Sequence, residues 1–156
     1  MIYGILIGYI MGFIFIYYSI RNKNRQIAYM QQTIDKFTDF YQLMNHWLEI
    51  RSLDKSIALY FKEQEYHKIA IYGMADIANR LYEELKETDI QIVYGIDRDV
   101  CCTGARVENI YSLQDKLPEV DVIVVTPFYA YENIKRDLEK KVTCPIVSIE
   151  EVIWSI

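Results

Sequence analysis

Lys68-Ile69-Ala70-Ile71-Tyr72-Gly73-Met74-Ala75-Asp76 is the stretch on which the fold turns. An apolar run that stops at glycine reads as a short strand buried on both faces, the usual condition of a parallel strand. After Gly73 the period changes. Ile77, Ala78, Leu81, Tyr82 and Leu85 fall on one face of a helix expected over 76–87. Gln91 to Asp97 (QIVYGID) is a second strand, and Val120 to Thr126 (VDVIVVT) is the strongest strand signal in the chain. Between them, a loop with Cys101, Cys102 and Gly104 leads to a short edge strand over Arg106 to Tyr111. Ser112 and Asp115 have the spacing of a capping box, so a brief helix is expected before Pro118. A helix over 129–140 runs through Tyr131, Ile134 and Leu138. Pro145 to Ile149 is the last strand, and Ser148 with Glu151 caps a terminal helix.

Strands that alternate with helices pair in parallel through right-handed crossovers. The expected architecture is therefore α/β, with about five parallel strands in the order 3-2-1-4-5 over residues 67–156. That is a truncated Rossmann-like sheet. In such sheets a ligand sits beyond the carboxyl ends of the strands, where the order reverses. Gly73 to Asp76, Asp97 to Asp99 and Thr126 to Tyr129 should border one crevice.

Residues 21–66 form a helical stalk or linker in this reading. No Gly or Pro interrupts 22–50, and a second helix covers roughly 54–65. Ile27, Met30, Ile34, Phe37, Tyr41, Met44 and Leu48 are spaced alternately three and four apart, as in a seam between helices. The stripe fits either a parallel homodimer or packing against the chain's own domain. Residues 1–20 carry no charge, and Ile2 to Ile20 would reach about 28 Å as a helix, close to the ~30 Å of a bilayer core. Arg21, Lys23 and Arg25 follow it. This order is the reverse of a signal peptide. The expectation is an uncleaved single-pass anchor in a bacterial inner (cell) membrane, in contact with lipid, with the C-terminal domain cytoplasmic. Gly4, Gly8 and Gly12 share one face at GxxxG spacing, a second possible route to a homodimer.

The chain has 156 residues, 17 basic and 22 acidic, and a formal charge of −5. The acidic balance gives no reason to expect a nucleic-acid partner. Three cysteines without CxxC spacing exclude a disulfide scaffold or a cysteine-rich zinc module. His46 and His67 lie on separate elements, so no metal site is expected.

Nucleotide chemistry is harder to dismiss. The first strand–helix turn reads Gly73-Met74-Ala75-Asp76-Ile77-Ala78, which is GxAxxA where a dinucleotide site wants GxGxxG. Ala75 places a methyl where a phosphate would approach. Asp76 would cap the helix and repel that phosphate. Asp97 ends the second strand, where an acid holds a ribose hydroxyl, with Arg98 as an alternative partner for it. The candidate cofactor-binding residues are thus Gly73, Met74, Ala75, Asp97, Arg98 and Thr126, and the ligands to expect are NAD(P) or a UDP-sugar. Tyr131 and Lys135 spell the YxxxK of short-chain dehydrogenases, but no serine precedes them at a plausible distance. Tyr82 and Lys86 repeat the spacing in a chain with 14 tyrosines, so coincidence explains it. No catalytic residue is assigned.

Phe40-Tyr41-Gln42-Leu43-Met44-Asn45-His46-Trp47-Leu48, Lys55 to Phe61, Lys68 to Met74, Val93 to Arg98 and Val120 to Pro127 together resemble domains encoded with bacterial capsule and exopolysaccharide biosynthesis enzymes. These are similar to the nucleotide-binding half of membrane nucleoside-diphosphate-sugar epimerases and dehydratases. The resemblance covers about residues 40–154 and implies nucleotide contact through the positions matching Gly73–Ala78 and Asp97. The half that carries epimerase chemistry has no counterpart here. What it implies is a membrane-anchored, non-catalytic module that binds a nucleotide or nucleotide-sugar, or docks a polysaccharide-biosynthesis enzyme. The alternatives are a nucleotide-dependent oxidoreductase or sugar-modifying subunit, and a ligand-free dimeric scaffold.

Overall fold

The structure, a computed structural model, describes the backbone of residues 2–100, 104 and 106–156, with side chains from Met11 onward in that range. The chain divides into two compact units, Met1–Gln42 and Leu43–Ile156.

The first unit is the greater part of one uninterrupted 51-residue helix, α1 (Ile2–Ser52). The expectation of a single-pass anchor in the inner membrane is corrected here. Among the described residues, no helix is long and apolar enough to cross a membrane. Of the expected span Ile2–Ile20, side chains are described from Met11 onward, and Arg21, Lys23 and Arg25 follow it directly. The rest of the expected span, including Gly4 and Gly8, lies outside the residues whose side chains are described. At Gly12 an added Cβ would meet nothing within 4 Å.

The second unit is a five-stranded parallel sheet in the order β3-β2-β1-β4-β5, as the alternation of strands and helices predicts. Its strands are β1 (Lys68–Tyr72), β2 (Gln91–Ile96), β3 (Ile110–Tyr111), β4 (Val122–Val125) and β5 (Ile146–Ser148). Helices α2 (Ala58–Glu63), α3 (Asp76–Leu85), α4 (Tyr131–Leu138) and α5 (Ile149–Trp154) complete it, with one 3-10 turn at Phe128–Ala130 before α4.

The two-residue period of the central strands sorts their side chains into two cores. Ile69, Ile71, Val122, Val124 and Val147 face one way, onto Ile77, Leu81 and Leu85 of α3 and Val152 and Ile153 of α5. Leu43, Trp47 and Ile50, on the last turns of α1, join this core at spacings of four and three. Ala70, Tyr72, Ile123, Val125 and Ile146 face the other way, onto Ile134 and Leu138 of α4. Alternation on strands buried from both sides is what pins the register.

Two expectations for the edge differ. β3 is only two residues long, and no helix forms after it. The capping-box bonds nevertheless exist: the Ser112 N–H donates to Asp115 Oδ2 at 2.7 Å, and the Ser112 hydroxyl accepts from Gln114 N–H at 3.2 Å. The signal produced a turn, because Pro118 leaves too few residues to propagate a helix. Its counterpart at the other end succeeds: Ser148 caps α5 by accepting from the Glu150 N–H.

Three polar contacts hold the layers in place. Glu84 of α3 accepts from Trp47 Nε1 at 2.5 Å, Ser56 Oγ at 3.2 Å and the Ile57 N–H at 3.0 Å, joining the end of α1, the following loop and α3. Asp121 accepts from the N–H groups of His67 and Lys68, aligning the starts of β1 and β4. These two backbone N–H bonds hold its carboxyl below the usual carboxylate range. Tyr94 donates to the Pro118 carbonyl at 2.9 Å, closing the thin face of the sheet over residues 112–120.

Burial, aided by the charges of Cys144 and Tyr111, pushes the Tyr94 phenol up to about 12. A phenol raised in the folded state keeps its proton where the unfolded chain has lost it. Its contribution to stability is complete below about pH 10 and is lost as pH rises through about 12. Melting temperature should therefore fall between those values. Tyr94→Phe should flatten the fall while costing about 1 kcal/mol at neutral pH through the lost hydrogen bond; an alkaline limb unchanged in the variant would assign that loss elsewhere.

Candidate functional site

The order reverses between β1 and β4, and the loops that leave these strands meet beside the end of β2. Four of the six sequence-predicted residues come together there. The Met74 N–H donates to Asp97 Oδ2 at 2.8 Å, and Asp97 Oδ1 accepts from the Asp99 N–H at 3.0 Å. Thr126, 3% exposed, donates its hydroxyl to the Gly73 carbonyl at 2.6 Å, with the Tyr72 carbonyl 3.2 Å away. The Gly73 N–H donates to the Ile96 carbonyl at 2.8 Å. Ala75 and Arg98 are both exposed at the edge of this cluster.

Sequence explains each position. Gly73 turns the chain with φ +88°, a backbone conformation that costs a residue with Cβ about 1–2 kcal/mol. The missing side chain also admits a neighbour: a Cβ on Gly73 would lie 2.6 Å from Cδ of Pro127 and 2.7 Å from its Cγ. Gly95, next to the last residue of β2, does the same for Met74, whose Sδ would stand 2.5 Å from an added Cβ. Met74 is accordingly buried.

The consequence for ligands is direct. The loop amide at Met74 and both oxygens of Asp97 are bonded to each other and to the loop. The Thr126 hydroxyl is turned onto the Gly73 carbonyl, and the Pro127 ring covers Gly73. The expected capping role of Asp76 also changes: Ala75 occupies the N-cap of α3 with no side-chain cap bond, and Asp76 is the first residue of the helix. Its carboxylate there still opposes an incoming phosphate. On the outer side, Asn79 holds the β2–β3 loop over α3 through the Gly104 carbonyl and the Arg106 N–H, and Arg106 pairs with Glu83.

An open depression of about 240 Å³ lies instead beyond β4 and β5, bordered by Phe128, Tyr129, Glu132, Asn133 and Glu150. It is smaller than the ~300–1,000 Å³ of typical ligand pockets and presents two carboxylates. Neither property suits a nucleotide.

The remaining chemical candidates serve the fold. Tyr131 donates its hydroxyl to the Ile146 carbonyl at 2.7 Å, and Lys135 lies over its ring, 5.5 Å from the centroid. Burial raises the Tyr131 phenol and the Lys135 charge only opposes that rise, the wrong direction for a proton-transfer tyrosine. Lys86 of the second YxxxK pair is bonded to Glu83. His46 stacks on Trp154 at 4.1 Å between ring centroids. No group of three or more potential ligands could hold a metal among the described residues. Burial pushes the half-buried Cys144 thiol up, away from reactivity. Cys101 and Cys102 lie outside the described residues.

Sequence reasoning missed Pro127 as the cover over Gly73 and Met74 as the filler against β2. A signal for the second was available, since an isolated glycine inside a strand marks the close approach of another group. No family model, curated protein or solved structure matches the chain. Nothing in those comparisons links it to capsule or exopolysaccharide biosynthesis.

Gly73→Ala should destabilise the chain by at least about 2 kcal/mol in urea denaturation, combining the left-handed backbone with the clash against Pro127. Pro127→Ala introduced into that variant should recover part of the loss. Additive costs in the double-mutant cycle would mean that the ring and the glycine do not share this space.

Proposed function

We propose that the Leu43–Ile156 unit is a non-catalytic adaptor domain that keeps a Rossmann-like frame and fills its own nucleotide crevice. The supporting observation is the closed set of bonds at the strand ends. Asp97 takes the Met74 and Asp99 amides, Thr126 takes the Gly73 carbonyl, and Pro127 and Met74 occupy the space left by two glycines. A phosphate approaching Gly73 would have to displace Pro127, and the Met74 amide that would receive it is already paired with Asp97. An adaptor gains from the same bonds, because they fix the loops that form its surface.

A second reading, favoured by one feature, is reversible binding of a nucleotide or nucleotide-sugar. Asp97 stands at the carboxyl end of β2 beside the switch point, where an acid meets a ribose diol. Its side chain would exchange the Asp99 amide for the sugar. An oxidoreductase or sugar-modifying role lacks a comparable feature, since Tyr131 is committed to the Ile146 carbonyl.

Thermal-shift measurements on the full chain with millimolar NAD(H), NADP(H) and UDP-sugars separate the two readings. The adaptor reading expects no shift. A ligand at 100 times its dissociation constant would add about 2.7 kcal/mol. A shift that Asp97→Asn removes, each protein compared with its own ligand-free state, would overturn the adaptor reading in favour of the second.

A further inference from the structure

Within Met1–Gln42, α1 keeps its largest apolar side chains in solvent. Ile27, Met30, Ile34, Phe37 and Tyr41 are between 53% and 70% exposed. Set out as heptads, Ile27, Ile34 and Tyr41 occupy a positions, and Met30 and Phe37 occupy d positions, one continuous seam. A contiguous apolar stripe of this kind marks an interaction surface. The charge pattern says what kind of partner covers it.

The positions flanking the seam, e and g, are Asn24, Gln26, Gln31, Thr33, Thr38 and Phe40, none of them charged. Arg21, Arg25, Asp35, Lys36 and Asp39 all fall at b, c and f, away from the seam. A charged partner would find no complementary flank to grip. An identical helix laid alongside in register meets no like-charge repulsion across e and g. Three of the five polar flanking side chains are bonded within α1. Gln31 donates to Asp35 at 2.9 Å, Thr33 to the Tyr29 carbonyl at 3.0 Å, and Thr38 to the Ile34 carbonyl at 2.9 Å. Covering them leaves these donors paired. Isoleucine at two of the three a positions matches the β-branched half of the parallel two-stranded pattern, with Met30 and Phe37 at d where leucine is usual. Lys23, at the preceding d position, ends the seam.

We infer that the occupant of this stripe is a second copy of the same chain, forming a parallel, in-register two-stranded coiled coil through Ile27, Met30, Ile34, Phe37 and Tyr41. The inference rests on α1 and is independent of the adaptor reading of the sheet.

Sedimentation equilibrium on the full chain should give twice the 18.6 kDa protomer mass. Ile34→Asp with Phe37→Asp should halve it, with a cooperative urea unfolding transition retained as proof that the sheet is still folded. Register is read in a chain whose Cys101, Cys102 and Cys144 are replaced by serine. Ile27→Cys and Tyr41→Cys should each form a disulfide-linked dimer alone. A monomeric wild type, a charge variant that stays dimeric, or cross-links formed only when the two cysteine variants are mixed would each overturn the proposal.

Discussion

Much of the sheet's working end follows from the carbon atom that Gly73 lacks. The chain leaving β1 must turn immediately, with a φ of +88°, so that α3 can return over the sheet. The chain leaving β4 reaches Pro127 at the same place. Only a residue without Cβ lets both loops through. Once the proline ring sits on Gly73, Thr126 is held where its hydroxyl reaches the Gly73 carbonyl, and the Met74 amide points at Asp97. One steric constraint thereby sets the geometry of three strand ends.

The same constraint separates frame from function. A dinucleotide site uses glycine for close approach by a phosphate, with backbone amides at a helix N-terminus left to receive it. Here the approach is made by the protein's own proline, and the Met74 amide is received by its own aspartate. Gly95 repeats the substitution within β2, where Met74 takes the opened space. Frame geometry that usually admits a ligand thus contributes packing instead. Fold-level likeness alone does not assign an activity, because activity depends on the groups of a particular site.

The fold was legible because its strands are buried on both sides. Val120 to Thr126 and Ile69 to Tyr72 are short apolar runs that read as strands covered on both faces, and the helical periods between them point to parallel pairing. Edge elements were less legible. β3 shrinks to Ile110–Tyr111 because an edge strand has one neighbour and little to bury, and Ser112 with Asp115 could form cap bonds without a helix to cap. At the candidate site, the convergence of Gly73, Asp97 and Thr126 could be read from topology alone. What fills the crevice could not, since the contact between Pro127 and Gly73 joins residues 54 positions apart and has no local signature. The reading of residues 1–20 as a membrane span rested on hydrophobicity alone, and among the described residues no helix is long and apolar enough to cross a membrane.

Two halves of one helix show how differently the same period can be used. Leu43, Trp47 and Ile50 spend their apolar surface inside the sheet's core, and the Trp47 indole is anchored on Glu84. A few turns earlier, Ile27 to Tyr41 present a comparable stripe with no buried member. Helices in proteins draw most of their stability from packing an apolar face, and an isolated helix is marginal in water. Among the described residues of α1, the buried side chains fall at Leu43, Trp47 and Ile50, and the stripe from Ile27 to Tyr41 is left with its demand for such packing unmet within its own unit. The dimer proposed above would meet that demand with neutral flanks and internally bonded threonines, since an identical helix matches the stripe in spacing, length and polarity without further specification.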